Sequence, residues 1–390
     1  HPERLSCAKI IYQFLVLSTF AKIVSVPFDA LVNAKEDMLP FSIIELIDSI
    51  LMLVVAFSIK YISGDKLIYY GISVAAISLL VLFLKYGWCR YAYNECRIML
   101  NENRGNFRIK EMLGFTGWNL FAGLAMIGRN QGIAIIINLF LGTIANAAYG
   151  IANQINGALG HFSATFQKAI NPQLMKSEGM NDRHRLLRIS YISSKFSVLA
   201  LAFFAIPLML EMDEVLILWL NNNIPPYTMR LTQFILLLSI TYQYSVGIMS
   251  AIQATGKIRN YQITIGSILL MNIPIAYVIL KLGFPVYYTT IAFVILEIIS
   301  LCARLYMATK LTGMKVFDYC SEVIIPTMKI IIIPIIIAMI PHCVLEKSLL
   351  RIFIVCVVYC SLFIALMFRF AIDESLRFKI LCKVKNIIKR

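Results

Sequence analysis

Charge is scarce in this sequence, and negative charge is scarcest. Asp, Glu, Lys and Arg make up 15% of the 390 residues, 21 acidic against 36 basic. Soluble domains carry about a quarter of their residues charged, so that class is excluded. The deficit is matched by an apolar excess, 59% hydrophobic with a mean hydropathy of +0.78, which points to an integral membrane protein. There are only four histidines, and none stands at ligand spacing from a cysteine or carboxylate. The nine cysteines include no CxxC pair; they read as small apolar fillers and exclude a disulfide framework or a zinc ribbon. Strict apolar–polar alternation is missing, which excludes a membrane β-barrel. No GxGxxG opens a helix after a strand and no P-loop occurs. The longest connection, 85–114, is a basic connector too short for a catalytic domain. The sequence thus predicts a non-enzyme with no cofactor and no metal. Its net charge of +15 does not indicate nucleic acid, because the basic residues lie in loops between apolar runs, facing anionic lipid.

What is present is a succession of runs long enough to cross a bilayer, about eleven at about 20 residues each. They fall roughly at 6–32, 40–62, 66–88, 115–141, 144–168, 187–210, 229–254, 259–281, 285–308, 322–343 and 349–370. The expected fold class is all-α, a polytopic membrane helix bundle. Every second connection is basic: Lys85, Arg90, Arg97, Arg104, Arg108 and Lys110 after the third span, Lys168, Lys176, Arg183, Arg185 and Arg188 after the fifth. Lys257 and Arg259 follow the seventh, Arg304, Lys310 and Lys315 the ninth, and the tail carries Arg377, Lys379, Lys383, Lys385, Lys389 and Arg390. The intervening loops carry Glu211, Asp213 and Glu214 or almost no charge. Basic loops stay on the cytoplasmic side, so these and the C-terminus are predicted to be cytoplasmic.

The odd span count then leaves residue 1, a His, outside, and the sequence predicts further spans upstream. A weak internal repeat agrees. Pro27-Phe-Asp-Ala-Leu-Val-Asn-Ala-Lys ends the first span and Gly247-Ile-Met-Ser-Ala-Ile-Gln-Ala-Thr the seventh, with Ala34 over Ala254 and Asn33 over Gln253 at an offset of 220. Two parallel six-helix lobes follow. Residues 1–92 are the second half of an N-terminal lobe, 93–312 a complete C-terminal lobe, and 313–390 two accessory spans with a basic tail.

Within the fifth span, Asn146, Tyr149, Asn153, Asn156, Gly160, Ser163 and Gln167 recur at spacings of three and four, which gathers them on one helix face. An unpaired amide in hydrocarbon costs several kcal/mol, so the stripe faces protein or a water-filled cavity. Both readings fit: a cavity lining, or interhelical glue beside Gly150, Gly157 and Ala164.

Charges inside spans are the sharpest functional signal. Arg129 lies mid-span between Gly128 and Gly132 and beside Asn130 and Gln131, where its fork suits a phosphate or pyrophosphate. The plain alternatives are an arginine paired with a carboxylate to fix helix packing, or a span shorter than drawn. Lys22 and Asp29 lie two turns apart on one face of the first span, and Glu45 and Asp48 one turn apart in the second. Asp29, Glu45, Asp48 and Glu297 are the carboxylates that could couple to H⁺ or Na⁺; for Glu45 and Asp48 the alternative is an interfacial pair of acids just inside the cytoplasmic surface. Arg304 and Lys195 stand near cytoplasmic span ends, where snorkelling accounts for them.

The runs Trp118-Asn-Leu-Phe, Asn130-Gln-Gly, Asn138-Leu-Phe-Leu-Gly142, Asn146-Ala-Ala-Tyr-Gly-Ile-Ala-Asn-Gln-Ile-Asn156 and Asn171-Pro-Gln173 resemble those of polysaccharide flippases. These belong to the multidrug/oligosaccharidyl-lipid/polysaccharide exporter superfamily. Tyr12-Gln-Phe-Leu-Val-Leu-Ser, Val26-Pro-Phe-Asp-Ala, Ser193-Ser-Lys-Phe-Ser and Gln253-Ala-Thr-Gly-Lys extend the resemblance over essentially the whole chain. It implies two six-helix lobes around a central cavity, often with two extra C-terminal helices, here without the first three. It also implies transport of undecaprenyl-pyrophosphate-linked oligosaccharide across the bacterial cytoplasmic membrane by alternating access, with membrane lipid and polysaccharide polymerase or assembly proteins as partners. Arg129 and Asp48 stand where uncharged family residues are expected, so their roles rest on chemistry alone. On this reading Arg129, Lys22 and Lys195 hold the pyrophosphate and the amide stripe meets sugar hydroxyls. The alternative within the superfamily is a small-molecule antiporter coupled to H⁺ or Na⁺ through Glu45 and Asp48.

Overall fold

The computed structural model describes residues 2–35, 37–62, 65–96, 106–221 and 223–371, and among them there is no strand. The chain is an all-α, multi-pass membrane helix bundle. It divides into two units, His1–Arg104 and Gly105–Arg390.

The first unit holds α1 (Pro2–Lys35), α2 (Met38–Ser58) and α3 (Lys66–Ala92). Asp65 starts α3 by accepting the Leu67 and Ile68 amide hydrogens that no helical carbonyl can reach. α1 and α3 approach closely through small residues. Ser18 and Ser78 share a buried 2.8 Å hydrogen bond, and Gly71 leaves room for Ile11. α2 exposes Leu39, Ile43, Leu46, Leu53 and Phe57, an apolar surface suited to lipid.

Lys85 corrects the sequence reading. It lies inside α3, not in the following loop, and is 8% exposed. Its Nζ donates to Asp29 Oδ1 at 2.6 Å and sits 5.1 Å from the Phe41 ring centroid. Asp29 therefore pairs across helices with Lys85, whereas Lys22 on its own helix is exposed. Opposite charges inside hydrocarbon neutralise each other, so α3 continues through Lys85 to Ala92.

The second unit begins with α4 (Asn106–Gly179), interrupted at Gly142, where φ is 77° and ψ −174°. An L side chain is strained there, so glycine is required for the break. A straight helix would separate Asn119 from Gly160 by roughly 60 Å. Both nevertheless line one cavity, so the chain reverses at Gly142 into two antiparallel arms, 106–141 and 143–179. Among the described residues ten helices are long and apolar enough to span; the 68-residue one is this folded pair, matching the expected runs 115–141 and 144–168.

Then follow α5 (Arg183–Leu210), α6 (Met212–Leu220), α7 (Thr228–Ala254), α8 (Arg259–Leu270), α9 (Asn272–Lys281), α10 (Tyr287–Thr312), α11 (Val316–Tyr319), a π-helical turn at Cys320–Ile324, α12 (Ile325–Val344) and α13 (Leu349–Phe370). α8 and α9 are one crossing, Arg259–Lys281, bent because Pro274 cannot donate to the Leu270 carbonyl and crowds it. Beside the break, Asn272 Nδ2 donates to Leu269 O at 2.8 Å.

α7 is the most enclosed span. Ser190, Ser193, Ser194 and Ser197 form a fully buried small face of α5 against it. The Gly247 N–H donates to Ser194 Oγ at 3.0 Å, and a Cβ at Gly247 would collide with the Ser190 carbonyl. α13 packs on α5, where Tyr359 donates to Ala202 O at 3.3 Å, and Tyr319 on α11 donates to Tyr244 O on α7.

The loop acid Glu211 is buried, with 1% exposure. Its Oε2 accepts from Arg351 Nε at 3.0 Å and Nη2 at 2.8 Å on α13, and its Oε1 lies 2.8 Å from His342 Nδ1 on α12. This end of the unit thus gathers Glu211, Glu214 and the α12–α13 connection, while Lys257, Arg259 and Lys310 gather at the other end. The tail residues Arg377, Lys379, Lys383, Lys385, Lys389 and Arg390 lie outside the described residues, as do Arg97, Arg104 and the side chains of Arg108 and Lys110.

Candidate functional site

Between the two arms of α4 and helices α7, α8 and α10 lies a cavity of about 450 Å³, wholly within the second unit. That is the scale of a small-ligand site. The first arm contributes Asn119, Arg129 and Asn130; the second contributes Tyr149, Asn153, Asn156 and Gly160. α7 adds Ser239, Tyr242, Gln243 and Gln253, α8 adds Tyr261 and Gln262, and α10 adds Glu297 and Arg304.

Arg129 is half-buried, and its Nε donates to Asn130 Oδ1 at 3.2 Å. Among the described residues it has no carboxylate partner, so the packing-pair alternative finds no support. Gln131, two residues on, is exposed and outside the lining.

The sequence stripe divides between its two readings. Tyr149, Asn153, Asn156 and Gly160 line the cavity, with Asn153 Nδ2 donating to Tyr149 O at 2.9 Å and Asn156 Oδ1 accepting from Ser239 Oγ at 2.5 Å. Ser163 instead donates to Ser197 O at 2.9 Å, and Gln167 Nε2 donates to Gln243 Oε1 at 3.3 Å. These two tie the second arm to α5 and α7. Asn146 is half-buried and outside the lining. A repeat averaging 3.5 residues drifts by roughly 20° per heptad on a 3.6-residue helix, or about 60° from Asn146 to Gln167. One stripe therefore meets different neighbours along its length.

Arg304 corrects a second expectation. It is 1% exposed and does not snorkel. Its Nη1 donates to Glu297 Oε1 at 2.5 Å and to Ser245 Oγ at 2.8 Å, and its guanidinium lies 5.7 Å from the Tyr242 ring centroid. Two turns of α10 put both charges on one face, and a nearby carboxylate holds the arginine inside more strongly than a distant headgroup draws it out. Arg304 Nε and Tyr261 Oη have no partner among the described residues. Two arginines against one glutamate leave the lining with a net charge of +1.

Lys195 is half-buried on α5 and outside the lining. Lys22, Asp29, Glu45 and Asp48 belong to the first unit, where Glu45 is exposed and Asp48 half-buried on α2.

The sequence reading missed Asn119, Gln262, Ser239, Tyr242, Gln243 and Gln253. Gln262 Nε2 donates to Asn119 Oδ1 at 2.8 Å, bridging α8 to the first arm. Ser239, Tyr242 and Gln243 stand at i, i+3 and i+4, a spacing that could have revealed a second polar face. In comparisons with known proteins, no family model, no curated protein and no solved structure matches this chain.

Proposed function

We propose that this multi-pass protein is a flippase of the bacterial cytoplasmic membrane. It carries an undecaprenyl-pyrophosphate-linked oligosaccharide to the outer leaflet for surface polysaccharide synthesis, with its C-terminus in the cytoplasm. The observation that carries this reading is Arg129, mid-span in an amide-rich cavity and without a carboxylate partner among the described residues. Its bidentate fork suits a phosphate oxygen pair, and the surrounding amides offer both donors and acceptors to sugar hydroxyls. The prenyl tail stays in lipid, and alternating access re-exposes the headgroup on the far side. The sequence resemblance to polysaccharide flippases points the same way.

A cation-exporting antiporter is the competing reading. It calls for an anionic lining, whereas here the single glutamate is neutralised by Arg304 and the excess charge is positive. The test is reconstitution of the protein in vesicles carrying a fluorescent undecaprenyl-pyrophosphate saccharide. Protein-dependent exposure of the sugar to an external lectin is expected. Movement of a cationic dye driven by a proton gradient, with no movement of the lipid-linked sugar, would replace the proposal with the antiporter.

A further inference from the structure

The basic end of the second unit holds another pocket, of about 1120 Å³. Its wall is built by the start of α4, the turn between α7 and α8, and the last turns of α10. Three exposed cations line it, Lys257, Arg259 and Lys310. In the turn, Gly256 takes a φ of +70° and Ile258 is buried at 2% exposure, which leaves Lys257 and Arg259 outward on either side. The Arg259 guanidinium lies 5.3 Å from the Trp118 ring centroid, and Lys310 Nζ lies 4.5 Å from that of Tyr306. Among the described residues no carboxylate lines the pocket or pairs with any of the three. Most of the remaining wall is apolar, including Phe115, Met307 and Leu311, with Thr116 and Asn260 as its polar members.

Positive charge above an apolar floor, at the ends of three spans, is the chemistry of a bilayer surface rather than of a soluble anion site. Trp118 and Tyr306 have the amphipathic rings that settle at headgroup level. Each Lys or Arg near an anionic surface adds to the attraction. We propose that this pocket binds the phosphate-bearing headgroup of an anionic phospholipid, with the Lys257, Arg259 and Lys310 cations on the phosphate and the first acyl methylenes on the apolar floor. The site is distinct from the inner cavity and does not depend on what that cavity carries. The two adjoin at Tyr261, a residue common to both linings.

The experiment uses Trp118 as the reporter. The other tryptophans, Trp88 and Trp219, are changed to Phe, and the protein is reconstituted in vesicles containing brominated phosphatidylglycerol or brominated phosphatidylcholine. Bromine quenches indole on contact. Enrichment of phosphatidylglycerol beside Trp118 by roughly fivefold or more is expected. Lys257→Ala and Lys310→Ala, which do not touch Trp118, should each lower that preference, while Lys347→Ala at the opposite end should leave it intact. Their unchanged quenching by phosphatidylcholine would verify that the pocket is still folded. Equal quenching by the two lipids in the unmutated pocket would overturn the proposal. So would loss of the preference when inorganic phosphate replaces chloride at matched ionic strength, which would assign the site to free phosphate.

Discussion

Glu297 and Arg304, seven residues apart on α10, form a 2.5 Å ion pair in which neither side chain exceeds 3% exposure. Removing one member strands a charge in low dielectric, which costs about 3–5 kcal/mol. Glu297→Gln and Arg304→Met should each lower the unfolding temperature of the detergent-purified protein sharply, and the double variant should recover much of the loss. If the single variants melt like the parent, the pair is not closed in the folded protein.

Arg129 is the opposite case, a cation with no such partner among the described residues. Arg129→Ala should abolish surface polysaccharide in cells without lowering the amount of protein in the membrane, and Arg129→Lys should restore it only in part, because an ammonium cannot grip two oxygens in one plane. Normal export by Arg129→Ala would remove the phosphate role.

Single cysteines in a background lacking the native nine separate the faces of the second arm of α4. Cysteines replacing Asn153 and Asn156, which line the cavity, should react with a small charged thiol reagent. Those replacing Ala148 and Ala152, both at 0% exposure, should not. Protection at both asparagine positions would mean that the cavity is dry.

Topology has its own probe. Cys343 is exposed near the acidic end, whereas Cys320 is half-buried at the start of α12's crossing. If the basic end is cytoplasmic, an impermeant maleimide added to intact cells should modify Cys343 and spare Cys320. The reverse pattern would invert the orientation.

Arg351 holds α13 to the buried Glu211 through two hydrogen bonds of 3.0 and 2.8 Å. Arg351→Ala should cost about 3–5 kcal/mol by the same logic of a stranded charge. Protease cleavage between α12 and α13 should then become faster than in the parent. Unchanged cleavage would show that α13 is held by its apolar face alone.

The helices were legible in the sequence because hydrocarbon imposes one rule, length and apolarity, on every span. Even the break at Gly142 fell between the two expected runs 115–141 and 144–168. The charged residues were read less well, since a span's sequence shows which charges are present but not which helix supplies the partner. Asp29 sat near Lys22 in sequence yet found Lys85 across the bundle. Arg304 stood close enough to a span end to suggest escape to water, but Glu297 and Ser245 keep it inside. The cavity was half visible: the stripe on the second arm of α4 stood out in a run of alanines, while Ser239, Tyr242 and Gln243 on α7 were hidden by the apolar residues around them.

The reversal at Gly142 has a consequence for how the protein is made. Leu141, Gly142 and Thr143 are exposed, and no polar connector separates the two arms. Elsewhere adjacent crossings are separated by several non-helical residues, as at 282–286 between α9 and α10. Here a single residue is the entire turn, so neither arm has a resting state of its own. With so short a turn, insertion of the two arms together as one hairpin is the expected route. On that route the cavity walls that the two arms supply meet before α7, α8 or α10 has been made.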